Sequence, residues 1–89
     1  MARAFSMGHE APLAGGPAAS TDALYELGLM YCTGRGVAAD LVAAHKWFNL
    51  AALKGNAAAK TYRAEIAREM TKAEIAEAQR LAREYLKGH

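Results

Sequence analysis

Four glycines punctuate one apolar stretch, ELGLMYCTGRGVAADLVAAHKWFNLAALKG (residues 26–55). Their positions constrain the fold more than any reactive side chain does. Gly34 and Gly36 bracket Arg35, and Gly55 closes the run. Glycine takes left-handed backbone geometry without steric penalty, so Gly34-Arg35-Gly36 predicts the end of one helix and Gly55 the end of the next. Gly28 is a different case. It falls inside a helical stretch, where glycine costs about 1 kcal/mol relative to alanine. Close approach of a second helix is the usual reason to keep it. The following helix is rich in alanine (Ala43, Ala44, Ala51, Ala52), with Trp47 and Phe48 on its other side. Two antiparallel helices packed at short distance, joined by the tight GRGVAAD link, are therefore expected.

Local signals place the remaining boundaries. Ser20-Thr21-Asp22 offers an N-cap and an early acid for a helix over about 22–33. Asp40 caps a second helix, about 41–54, and Asn56 a third, about 57–70. Thr71-Lys72-Ala73-Glu74 is a capping box, flanked by Met70 and Ile75 at the positions of a hydrophobic staple. It opens a fourth helix over about 72–87. No alternating pattern speaks for a strand, so the fold expected is all-α.

The chain has 89 residues, enough for one domain that buries proportionally little apolar surface. Residues 1–20 stand apart in composition: the segment APLAGGPAAS cannot build a helix face and reads as a flexible tail. Met7 is a candidate alternative start. One cysteine, Cys32, leaves no internal disulfide and suits a reducing compartment. No signal peptide and no membrane-length apolar run is visible, so a cytoplasmic protein is expected. The net charge is +2, with lysine and arginine interspersed among glutamates. That argues against a dedicated nucleic-acid surface.

A search for internal periodicity aligns Gly28 with Ala64, Ala23 with Ala59 and Met30 with Ile66, while Tyr25 falls on Thr61 and Leu27 on Arg63. The match is partial. Leu27-Gly28-x-Met30-Tyr31-x-x-Gly34-x-Gly36-Val37-x-x-Asp40, then Ala44-x-x-Trp47 and Ala51-Ala52-x-x-Gly55, resembles the Sel-one-like repeat. That family is a relative of the tetratricopeptide repeats, built of helical hairpins that stack into a right-handed superhelix. The resemblance covers residues 22–56 at nearly every signature position. The next unit departs from it, with Ala64 in place of the helix-interior glycine and no GxGV link after Met70. The resemblance thus implies an α-solenoid fragment: a full repeat over 21–56, then a degenerate half and a capping helix over 57–89. Short single-domain members of this kind are familiar among bacterial proteins. By the same analogy the function is scaffolding, as an adaptor that presents a surface to a peptide or protein.

Helix one suggests where such a partner docks. Leu24, Leu27, Gly28 and Tyr31 form one apolar face, and Tyr25, Leu29 and Cys32 form another. A helix apolar on two sides is normally buried on both. Either the tail or helix three covers the second face, or it meets an unidentified protein or a second copy of the chain. The candidate contact residues are Tyr25, Leu29 and Cys32, with Glu26 at the rim. The competing function is a small helical regulator that binds nucleic acid through Lys60, Arg63, Arg68, Lys72, Arg80 and Arg83 of helices 57–87. Five glutamates among them oppose it.

Chemistry is not signalled. Cys32 has no base beside it in sequence. His45 lacks a second ligand at helical spacing. Arg35 sits in a link without the Lys-Ser/Thr of a phosphate loop and at the end of a helix whose carbonyls repel anions. Trp47 and Phe48 read as packing residues rather than base-stacking ones. No catalytic residue, cofactor or metal site is expected.

Overall fold

The computed structural model describes residues 19–88. Among them are four helices and no strand: α1 (Thr21–Thr33), α2 (Leu41–Leu53), α3 (Ala57–Ala67) and α4 (Lys72–Gly88). Each expected N-cap is made. Ser20, Asp40 and Asn56 accept from the backbone N–H three residues on, at 3.0, 3.1 and 2.7 Å. The capping box closes in both directions: Thr71 N–H donates to Glu74 Oε1 at 2.8 Å, and Glu74 N–H to Thr71 Oγ1 at 3.0 Å. Four backbone donors at a helix start have no intrahelical acceptor, and these side chains supply one. Gly34 takes the left-handed cap with φ 74°, and both its N–H and that of Arg35 turn back to Met30 O at 2.8 and 3.1 Å.

One boundary differs from expectation. Helix three was expected to run to residue 70, but α3 ends at Ala67. The N–H groups of Arg68, Glu69 and Met70 reach the carbonyls three residues back. That tighter winding turns the chain toward α4 and carries Met70 into the core.

α1 and α2 form an antiparallel hairpin. Near the link, Asp40 N–H donates to Tyr31 O at 2.9 Å. Further away, Gly28 faces Phe48, and at the open end Leu24 and Leu50 line a common cavity. Gly28 is buried as expected, but its neighbour is a ring rather than bare alanine. A Cβ added there would lie 2.5 Å from two carbons of the Phe48 ring. Ala44 and Ala51 are also fully buried, so the small residues fill the rest of that seam.

α2 is the hub. It packs on α1, α3 and α4, while α1 touches α3 only lightly and α4 packs chiefly on α2. Phe48 faces α1 and α3. Trp47, about 100° round the helix, faces α4 and meets Tyr85 edge-on at 5.5 Å. Ala78 and Ala82 bury the α4 stripe. At the other end, Ala19 is buried and its carbonyl accepts from Lys54 Nζ at 2.9 Å. Residues 1–18, the rest of the expected tail with Met7 in it, lie outside the described residues.

Candidate interaction surface

The four residues singled out on helix one do not share one environment. The Tyr25 ring lies 6.0 Å from Phe48 and 6.1 Å from Tyr62, and Phe48 and Tyr62 stack at 5.5 Å with planes 14° apart. So α3, through Tyr62, covers part of Tyr25. Desolvation, then the neighbouring Tyr62 and Glu26, push the Tyr25 hydroxyl above the ordinary tyrosine range. It stays protonated at neutral pH. Leu29 and Cys32 are half-buried, packed on the core from one side. Cys32 is a free thiol. Glu26 is exposed and reaches Arg35 of the link at 3.5 Å. Both partners are more than half exposed, so this pair contributes little to stability.

Other placements were not foreseen. As a candidate nucleic-acid contact, Arg63 would face solvent. It instead turns to α2, half-buried, and donates to Asn49 Oδ1. The signal was available in part: Asn49 stands one turn from His45 on the same side of α2, and a polar strip on a buried helix needs a polar neighbour. His45 is only 3% exposed, and its Nδ1 has no hydrogen-bond partner. Burial, with the Arg63 cation second, holds His45 below the usual histidine range.

This gives a pH dependence with a defined sign. Below its ordinary pKa of 6.5, the imidazole of the unfolded chain takes up a proton that folded His45 resists. Stability is full above that value and declines as the pH falls through it, by at most about 1.4 kcal/mol per pH unit. Glu77 acts in a separate, more acid window, because its hydrogen bond from Arg80 holds it below its ordinary value of 4.5. Urea melts at pH 7.5, 6.5 and 5.5 should show the decline in wild type and a flatter profile in His45→Leu. A slope retained in the variant would assign it to another group.

Among the described residues, no group of three or more His, Cys, Asp or Glu side chains is placed to hold a metal ion. No helix there is long and apolar enough to cross a membrane. What the geometry offers is a hairpin seated around Gly28, closed by the Gly34 cap and the Asp40–Tyr31 bond, and ended by Gly55 at φ 100°. Residues 21–56 match the family model of the Sel1 repeat. That segment is a Sel1 repeat. The matched length runs from the first residue of α1 to the N-cap of α3. It takes in the whole hairpin and leaves α3 and α4 outside. Sel1 repeats as a class mediate protein–protein interaction. No curated protein matches the chain.

Proposed function

We propose that the chain is a small non-enzymatic adaptor that docks a protein or peptide on α1, through Leu29 and Cys32, with Tyr25 and Glu26 at the edge of the contact. One observation carries this reading. α1 is held by α2 on one side and only lightly by α3, which leaves Leu29 and Cys32 apolar and half-covered. A solvent-facing apolar strip on a Sel1 hairpin is a natural docking surface. A second copy of the chain, docking α1 to α1, is the self-association form. The free thiol of Cys32 suits a reducing compartment, and we place the protein in the cytoplasm. The nucleic-acid reading gains no support. Arg80 donates twice to Glu77, at 2.9 and 2.8 Å, and Arg63 is tied to Asn49.

The test is affinity capture with wild type and Leu29→Glu. Tyr25 is a poor choice for this purpose, because its ring also packs on Phe48 and Tyr62. Wild type should recover at least one protein that Leu29→Glu loses while its melting curve is unchanged. Identical recovery by both would remove α1 as the contact. Light scattering over a concentration series separates the self-association form, whose mass rise Leu29→Glu should abolish.

A further inference from the structure

The furrow between α2 and α4, with Leu24 of α1 in its lining, forms a second surface, distinct from the Leu29–Cys32 side of α1. Lys46, Leu50 and Leu53 occupy positions i, i+4 and i+7 of α2, a single stripe of the helix, and Lys54 follows as its C-cap. Leu50 is buried, whereas Leu53 is 65% exposed. Across the furrow stand Tyr85 and Leu86 of α4, the latter 57% exposed. Between these banks lies a cavity of about 120 Å³, lined by Leu24, Leu50, Leu53, Lys54, Tyr85 and Leu86. A closed apolar cavity of about 150 Å³ admits benzene. This one has room for a single branched aliphatic side chain.

Lys54 lines the cavity, and Lys46 stands against Tyr85 of its lining. Lys46 Nζ lies 4.2 Å from the Trp47 ring centroid and 5.9 Å from that of Tyr85. Lys54 Nζ uses one of its three donors on the Ala19 carbonyl. Neither ammonium pairs with a carboxylate among the described residues. On the α4 bank, Glu84 is taken up by Lys87 at 3.7 Å. Partial burial also holds Lys46 below the usual lysine range, as expected of a cation short of both water and counter-ion. Seven residues of helix and the cap residue place the two lysine backbones about 12 Å apart along the α2 axis.

We propose that this furrow docks an acidic peptide segment of another protein. One branched aliphatic side chain fills the cavity, and carboxylates on either side of it meet Lys46 and Lys54. Charge selects this occupant. A second copy docking furrow to furrow would bring the same lysines against each other. Phosphates of a nucleic acid have nothing to place in an apolar hole. Residues 1–18 contain a single carboxylate, Glu10, alongside Arg3, which leaves one lysine unmatched. The proposal does not rest on the α1 surface, since Leu29 and Cys32 do not line the furrow.

The full chain is panned against a random 12-residue peptide library on phage. The most enriched peptide is then synthesised and titrated by fluorescence anisotropy. Enriched sequences should carry leucine, isoleucine or valine flanked by aspartate or glutamate. Affinity should fall at least tenfold in Lys46→Gln and in Leu53→Ser, weaken with added salt, and stay unchanged in Leu29→Glu. Leu53 is largely exposed, so its variant keeps the fold even if Lys46→Gln loosens it. No enrichment, or enrichment of neutral or basic peptides, overturns the proposal, as does equal affinity across the furrow variants. Loss of binding in Leu29→Glu alone moves the site to α1 and also overturns it. Leu13 is the one branched aliphatic residue of 1–18, so tighter binding in Leu13→Ser assigns the furrow to the chain's own first residues, with the same consequence.

Discussion

Phe48→Ala should lower the unfolding free energy by about 3–5 kcal/mol, the range for deleting a large buried aromatic side chain. Phe48 is fully buried. Its ring lies on Gly28 of α1, beside Tyr25 of α1 and stacked on Tyr62 of α3, so one side chain ties three helices together. The void left by its loss cannot close easily. The flanking tyrosines belong to different helices, and each is held by its own backbone. Small domains have total stabilities of about 5–15 kcal/mol, and short chains lie at the low end. The variant should therefore melt at least about 12 °C lower, since 1 kcal/mol shifts the midpoint of so small a domain by about 4–8 °C. Leu86→Ala, at an exposed apolar position, should stay within about 0.5 kcal/mol of wild type. Chemical melts followed by circular dichroism compare the two. A loss below about 1.5 kcal/mol for Phe48→Ala, under the range for large aromatic deletions, would mean that the three-helix seam is not what holds the core.

The elements that were legible in the sequence are those decided locally. An N-cap is one side chain acting on a backbone donor three residues away, so Ser20, Asp40, Asn56 and the Thr71–Glu74 pair could be read without knowing the fold. The glycine caps at Gly34 and Gly55 belong to the same class. The end of α3 does not. Tyr62, Ile66 and Met70 keep a helical stripe through residue 70, and only the burial of Met70 under the turn into α4 explains the tightened winding after Ala67.

The interaction surface was legible in composition and not in arrangement. That α1 is apolar on two sides follows from its sequence. How much of the second side is covered depends on where α3 lands, and α3 reaches Tyr25 through Tyr62 while Leu29 and Cys32 stay half-open. Trp47 and Phe48 are neighbours in sequence and serve different helices, because one residue turns the side chain by about 100°. The furrow on the α4 side follows from that same turn. Trp47 and Lys46 face Tyr85 there, and no local pattern announces it.

Gly28→Ala should destabilise the protein by about 1–3 kcal/mol, the usual range for overpacking a filled core, although helix propensity alone favours alanine by about 1 kcal/mol. The backbone is not the obstacle. Among the described residues, the glycines with positive φ are Gly34, Gly36 and Gly55, and Gly28 lies within the regular span of α1, where alanine is the best residue. Space is the obstacle. The new methyl would stand 2.5 Å from Cδ1 and Cε1 of Phe48 and 2.9 Å from Cγ, and Tyr62 stacked on the ring blocks its retreat. The conflict is pairwise, so a double-mutant cycle isolates it. In a Phe48→Leu background, Gly28→Ala should lose most of its penalty, with a coupling of about 0.5–3 kcal/mol for residues in contact. Additive losses would show that the methyl is accommodated by shifting α1 bodily, and a Gly28→Ala protein as stable as wild type would show that the ring yields. Only a ring held in place makes glycine necessary here. The glycine then sets how deeply α1 sits on α2, and so how far Leu29 and Cys32 stand out from the hairpin.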